Sequence, residues 1–335
     1  MDLSIIVPVY NTEKFLEECL LSIFKSGVEI NRFEVIVVND GSTDNSFSII
    51  KKYAQLYPNI SVINQPNMGL SKARNNALKI ATGKYILFLD ADDYLINIDS
   101  LFALLDTAIL HNLEMIRFEY LGVDECGHKL FDAPNLEKKR IYENKIENGL
   151  FLLEHIYQFD FYACIFLFQR HFISNSGVLF KEGAYFEDIE FVLNLSLMAK
   201  KTLYRGETLY AYRQHSSSIV HTFSEKKVND VIELTASVRK LINKNKSLSA
   251  KIIQLLRNNE TRLLTTVLLR IADSSLYPCR KKLYGLFKKN DIKKIYLTAN
   301  AKEFIIALLF NIFGQYVINI LHPFVLLKTS IKNGK

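Results

Sequence analysis

Over the first 110 residues, short apolar runs alternate with stretches in which apolar residues recur every three or four positions. Ile5-Ile6-Val7, Val35-Ile36-Val37-Val38, Ile60-Ser61-Val62-Ile63 and Tyr85 to Leu89 are the near-continuous apolar runs expected of strands covered on both faces. Between them, Phe15, Leu16, Cys19, Leu20, Ile23 and Phe24 predict one helix closed by Gly27. Phe47, Ile50, Ala54 and Tyr57 predict a second, ended by Pro58. Leu70, Ala73, Ala77 and Ile80 predict a third, ended by Gly83. Asp99 or Ser100 is placed to cap a fourth, carrying Leu101, Leu104, Leu105 and Ala108. Such alternation predicts an α/β fold with a mainly parallel sheet flanked by helices, and puts the carboxyl ends of the strands on one edge.

The pattern then loosens. Glu119 to Arg140 reads as a polar, irregular excursion with Gly122, Gly127 and Pro134. Phe151, Leu152, His155 and Ile156 suggest a helix, and Thr208 to Tyr212 a strand. Phe159 to Phe168 is strongly aromatic, which core packing explains more readily than stacking on sugar faces. From Ser224 onward two apolar stripes predict long helices, Val228 to Ile242 and Leu256 to Ile271. The expected division is 1–110, 111–222 and a helical extension over 223–335.

Charge sharpens this division. Up to Ile219 there are 21 Lys and Arg against 28 Asp and Glu; after it there are 21 against 7. A basic C-terminal third suggests an anionic partner. With no nucleic-acid motif present, a membrane surface is the better account. Basic pairs at Lys281-Lys282, Lys288-Lys289 and Lys293-Lys294 precede Phe304 to Leu327, which contains no charged residue. There Asn311, Gln315, Asn319 and His322 form one narrow polar stripe, and Pro323 should bend the helix. An interfacial helix beside basic clusters is the favoured reading, over a helix packed on the catalytic domain and over a true span. The four cysteines form no CxxC, which points to a reducing compartment and away from a structural zinc site. The chain enters a strand at once, without a secretory signal pattern. The expected location is cytoplasmic, peripheral on the inner membrane surface.

Chemistry concentrates in Leu87-Phe88-Leu89-Asp90-Ala91-Asp92-Asp93, where a strand runs into three carboxylates. Close carboxylates repel unless a cation lies between them, so a metal carrying a polyphosphate competes with a solvated acidic turn. There is no GKS/T or GxGxxG motif, so a glycine-rich helix start does not hold the phosphates. Lys72 and Arg74, near the start of the third helix, face either a diphosphate or solvent. Glu187-Asp188-Ile189-Glu190 reads as an acidic first helical turn or as the seat of a general base.

Taken together, Ser4-Ile5-Ile6-Val7-Pro8-Val9-Tyr10-Asn11, Val38-Asn39-Asp40-Gly41-Ser42-Thr43-Asp44, Ala73-Arg74-Asn75, Phe88-Leu89-Asp90-Ala91-Asp92-Asp93 and Phe186-Glu187-Asp188 resemble the successive signatures of family 2 glycosyltransferases. The resemblance implies a GT-A fold and inverting transfer from a nucleotide-diphosphate sugar, usually a UDP-sugar, to a glycan or polyprenyl-linked acceptor in cell-surface polysaccharide synthesis. It places Pro8, Tyr10 and Asn11 at the nucleoside, Asp40 at the base, Lys72 or Arg74 near the nucleotide and Asp90 on the ribose side. Ala91 completes the donor motif, and Asp92 would bind Mn²⁺ or Mg²⁺. Asp188 matches the catalytic base. In Tyr212-Arg213-Gln214-His215, followed by Ser216 to Ile219, Arg213 would stabilise the leaving group and His215 complete the metal shell, with His221 the competing histidine. The chain has no Trp where many relatives carry one in the acceptor region. A nucleotidyltransferase of related fold and a non-catalytic glycan or lipid binder are the alternatives.

Overall fold

A computed structural model describes residues 1–25, 29–158, 160–215, 224–273 and 275–333, with side chains as far as Leu327. Gly27, Phe159, Ser216 to Ile219 and His221 lie outside the described residues. The chain divides into two compact units. One holds Met1–Gly183 and Glu187–Ser217; the other holds Ala184–Phe186 and Ser218–Lys335.

The first unit is built on a nine-stranded sheet. Its strands are β1 (Leu3–Val9), β2 (Phe33–Asp40), β3 (Ile60–Gln65), β4 (Tyr85–Phe88), β5 (Tyr94–Leu95), β6 (Met115–Val123), β7 (Lys129–Asp132), β8 (Phe166–Gln169) and β9 (Thr202–Arg213). Its helices are α1 (Leu16–Phe24), α2 (Ser46–Leu56), α3 (Leu70–Ile80), α4 (Ile98–His111), α5 (Leu136–Lys139), α6 (Gly149–His155), α7 (Arg170–Ser176) and α8 (Glu187–Met198). The sheet order is β3-β2-β1-β4-β8-β6-β9-β5, with β7 on β6. β3, β2, β1 and β4 run parallel, so their carboxyl ends share an edge. β8 is antiparallel to both β4 and β6, while β9 runs parallel to β6. Every residue of β1 and of β4 is buried, as their apolar runs require.

Two expectations change. Asn97, not Asp99 or Ser100, caps α4: its side chain accepts from the Ser100 amide at 3.0 Å. The polar stretch after Glu119 is no irregular excursion. It contains the end of the buried strand β6, a turn, and β7. β6 escapes a hydrophobic pattern because Arg117 and Glu119 are fully buried. Arg117 bonds the Asp160 carboxylate, Lys139 reaches Glu119 at 2.9 Å, and the Tyr204 hydroxyl donates to Glu119 at 2.9 Å.

The second unit is helical: α9 (Glu225–Lys244), α10 (Ala250–Ile271), α11 (Arg280–Lys289), α12 (Ala301–Phe313) and α13 (Val317–Asn333). Ser224 caps α9, accepting from the Lys227 amide at 3.3 Å. Val231, Leu264, Leu268, Phe287, Phe310 and Ile318 are among its core residues. The tail breaks at Gly314 (φ 54°) and a short 3-10 turn, while Pro323 sits inside α13. Three of the four residues of its polar stripe bond protein groups, while Gln315 and Asn319 remain exposed. Asn311 bonds the Ile295 backbone twice at 2.8 Å, Asn319 accepts from Tyr277 and Arg280, and His322 meets the Ala272 carbonyl at 2.6 Å.

Burial alone would raise the Asp160 carboxyl, but Arg117 and Lys139 hold it down at about 2. An unfolded Asp titrates near about 3.9. The carboxylate's contribution is therefore complete above that value and is lost as pH falls toward about 2. Arg117→Met, which leaves two buried carboxylates with Lys139 alone, should cost about 3–5 kcal/mol in urea unfolding at neutral pH. It should also flatten the acid limb of stability. A loss below about 1 kcal/mol would show the cluster to be dispensable.

Candidate functional site

The carboxyl edge of β1, β2 and β4 gathers most of the residues that the sequence singled out. Pro8 is buried at the end of β1, and Tyr10, next along, is about half exposed. Asn11 has φ 52°, and its side chain accepts from the Thr43 amide at 2.8 Å, tying the loop after β1 to that after β2. Asp40 is buried; its oxygens accept from Gln65 Nε2 and from the amides of Met68 and Gly69, each at 2.8 Å. That brings the loop after β3 onto Gly41. With φ +73°, Gly41 suits glycine, and a Cβ there would lie 2.6 Å from the Asn67 amide nitrogen.

Arg74 stands elsewhere than expected. Its side chain is 1% exposed, lodged over the Phe88 and Phe180 rings. The guanidinium joins Asp90 at 2.7 Å, Glu187 at 3.1 Å and Asp188 at 2.6 Å. It is thus an ion-pair junction among protein carboxylates. A side chain on the apolar face of α3 must turn inward, and it is stable there only with such partners. Lys72, one residue short of that face, is partly exposed and pairs with Glu182 at 3.0 Å. The next residue after Arg74, Asn75, bonds the Phe180 backbone in both directions, at 2.9 and 3.1 Å.

Asp188 lies in the first turn of α8. Its second oxygen accepts from the Ala163 amide at 3.1 Å, so both oxygens are oriented. Phe186, just before α8, takes φ 64°, which bulky residues rarely adopt. Glu187 is part of the motif quoted from the sequence, but the sequence assigns it no role. Burial first, then Asp188, push its carboxyl above the ordinary range against the pull of Arg74. Desolvation, Asp92 and Asp188 likewise push Asp90 upward, again opposed by Arg74.

Ala91 is buried, and the acids on either side of it part company. Asp92 Oδ2 meets His215 Nε2 at 2.9 Å, with the imidazole against the Phe15 ring. Adjacent ligands of an octahedral ion with bonds of about 2.0–2.1 Å lie roughly 2.9 Å apart. An oxygen–nitrogen pair at this spacing suits two coordination positions of a divalent ion as well as the hydrogen bond it makes here. Asp93 is buried; it accepts from the Tyr210 hydroxyl and from the Arg213 amide at 2.7 Å. Burial, Asp92 and Asp90 raise its carboxyl far above the usual range. Arg213 is no free cation at the edge. It is buried, with Nε on the Asp92 carbonyl at 2.9 Å, Nη1 on the Glu125 carbonyl at 2.7 Å and Nη2 on Glu18 at 2.6 Å. Its position beside an acidic strand end gave no sign in sequence of these partners, because they lie on α1 and in the turn between β6 and β7.

Residues 4–159 match the profile of Glycosyl transferase family 2. The family 2 match covers this stretch, just under half of the chain. The chain is 33% identical over 225 residues to an uncharacterized glycosyltransferase, EpsJ, of Bacillus subtilis (strain 168). That alignment covers 64% of this chain and 62% of EpsJ, so the chain spans less than two thirds of that relative. Two solved structures share the fold. Staphylococcus aureus TarS 1-349 in complex with UDP-GlcNAc superposes with a TM-score of 0.64 at 21% identity, over 94% of this chain and 93% of that one. The mannosyltransferase PcManGT of Pyrobaculum calidifontis, in complex with GDP-Man and Mn²⁺, gives 0.58 at 16% identity, over 93% and 87%. The architecture is accordingly GT-A, a Rossmann-like sheet flanked by helices, with further helices at the C-terminus.

The electrostatics make a checkable statement about the pair Glu187–Asp188. One carboxyl of the pair should still hold its proton well above the ordinary carboxylate value of about 4, by infrared titration of the carboxyl band. Glu187→Gln should remove one carboxyl's worth of that high-titrating band, the contribution of Asp93 remaining. Titration of every carboxyl in the ordinary range would contradict it.

Proposed function

We propose that the protein transfers a sugar from a nucleotide-diphosphate donor, most simply a UDP-sugar, to a hydroxyl of a glycan or lipid-linked acceptor in cell-surface polysaccharide synthesis. The observation that carries the reading is the meeting of two acidic motifs at one sheet edge of a family 2 domain: Asp90 and Asp188 on a single guanidinium, with Asp92 and His215 alongside. UDP-GlcNAc on TarS and GDP-Man with Mn²⁺ on the mannosyltransferase support the donor class and the metal.

Tyr10, Pro8 and Asn11 line the nucleoside side in this reading, and Asp40 both shapes that wall and faces the base. Asp92 and His215 hold the divalent ion, which when bound neutralises charge on the diphosphate. Asp188 is the base. Inverting transfer is one displacement, so the acceptor hydroxyl must lose its proton as it attacks the anomeric carbon, and a carboxylate within reach takes it. Arg74 and the Ala163 amide hold both oxygens of that carboxylate in place. Arg213, rather than meeting the leaving group, fixes the Asp92 backbone. Tyr162 is the acceptor platform. It is 40% exposed while its neighbours Phe161, Ala163 and Cys164 are buried, it stacks on Tyr212, and it precedes the residue bonded to Asp188.

The location proposed is the cytoplasmic face of the membrane. Ala301–Leu327 is long and apolar enough to cross a membrane by length and composition. The break at Gly314 and the protein partners of Asn311, Asn319 and His322 favour surface seating. Ile305, Ile312, Phe313, Tyr316, Phe324 and Leu327 are exposed, and in the same unit Lys281, Lys288, Lys289, Lys293 and Lys294 are exposed too.

Asp188→Asn should lower turnover by about 10²–10⁴-fold while leaving UDP binding unchanged, by coupled UDP release and calorimetry. Near-normal turnover would remove Asp188 as base, and pyrophosphate in place of UDP would overturn glycosyl transfer. Asp92→Asn should abolish the Mn²⁺-dependent part of the thermal shift that UDP produces; an unchanged shift would reject the metal assignment. Ile312→Glu together with Phe324→Glu should abolish flotation with anionic vesicles, while equal flotation of the variant would refute membrane seating. Truncation near residue 300 is a poorer test, because it strips Ile306, Phe310 and Val317 from the helical core.

A further inference from the structure

The turn between β6 and β7 contains the one group of three potential metal ligands found among the described residues. Asp124, Cys126 and His128 each bring a ligand atom within 4.8 Å of the others. In sequence, the cysteines form no CxxC and point away from a structural zinc site; the fold nevertheless sets Cys126 between an acid and an imidazole on one tight turn. The turn is preformed. Asp124 Oδ1 accepts the amides of Cys126 at 2.9 Å and His128 at 2.8 Å, which leaves its other oxygen 3.1 Å from His128 Nδ1.

We propose that Asp124, Cys126 and His128 form a solvent-facing three-ligand site for a zinc-class ion, distinct from the Asp92–His215 pair. The donors are one carboxylate, one thiolate and one imidazole, each a Zn²⁺ ligand type, and three protein ligands leave the fourth position to water. A tetrahedral ion with bonds of about 2.0–2.2 Å to oxygen and nitrogen needs those atoms roughly 3.3 Å apart, close to the spacing present. Cys126 is exposed, so its side chain can swing to close the third bond. Binding displaces the thiol proton to water, with no redox change. Cysteine sulfur makes the site select Zn²⁺ over the oxygen-preferring Mg²⁺ and Mn²⁺.

The same turn is fastened to the sheet edge. The carbonyls of Asp124 and Glu125 accept from Arg213 Nη1, and Arg213 Nε holds the Asp92 carbonyl. An ion in the turn therefore stiffens the support of Asp92. The site itself does not rest on the glycosyl-transfer reading.

The test is titration of the full chain with Cd²⁺ or Co²⁺, followed by thiolate-to-metal charge-transfer absorption and competed by Zn²⁺. One ion per chain should produce the band; Cys126→Ser should remove it; His128→Ala should weaken the ion's apparent affinity by more than about tenfold. Cys19 and Cys164 are buried, which leaves Cys279 as the competing thiol. A band that persists in Cys126→Ser and vanishes in Cys279→Ser overturns the proposal, as does the absence of any band. Circular dichroism of each variant separates loss of the ligand from loss of the fold.

Discussion

One guanidinium organises the first unit's chemistry. Arg74 is buried among aromatic rings and bonds Asp90 at the end of β4 as well as Glu187 and Asp188 at the start of α8, residues about a hundred positions apart in the chain. A buried cation requires anionic partners, and carboxylates this close require a cation. Each therefore fixes the other, and the two acidic motifs cannot separate without stranding charge. Burial works against the guanidinium's charge, but Asp188, Asp90 and Glu187 outweigh it and raise its proton affinity well above the ordinary value.

The second constraint is a surplus of negative charge. Asp90, Asp92, Asp93, Glu187 and Asp188 crowd one edge, and the described arginines beside them, Arg74 and Arg213, already pair with protein carboxylates. Asp93 and Glu187 relieve the repulsion by favouring their neutral forms. Asp92 is paired with an imidazole rather than with an arginine, and in the proposed function it is where a divalent ion would relieve the repulsion. Under the same proposal, the crowding that looks like a liability in the chain would suit a cation and a polyphosphate.

The parallel half of the sheet was legible because β1, β2 and β4 are nearly continuous apolar runs and its helices carry regular stripes, although β3, at the edge, is buried only at its two ends rather than on both faces. The acidic run after Phe88 stood out as candidate chemistry because a core has no use for it, whereas Glu187-Asp188 read as more than an acidic helical turn only through the family resemblance. The role of Arg74 was not legible, since a basic residue near a helix start reads equally well as a phosphate ligand; only the inward turn of its face of α3 distinguishes the two. β6 was hidden because Arg117 and Glu119 interrupt its apolar run, their neutralising partners Asp160 and Lys139 being remote in sequence. The tail's polar stripe was read correctly as a pattern, but its partners, Ile295, Tyr277 and Ala272, lie on neighbouring segments that no periodicity reveals.

The most direct measurement is a double-mutant cycle between Arg74→Met and Asp188→Asn, read as urea-unfolding free energy. If Arg74 and Asp188 are interdependent, the double variant will be more stable than the two single losses added together, by about 1 kcal/mol or more. Additive losses would mean that the junction does not hold the base, and would contradict the account.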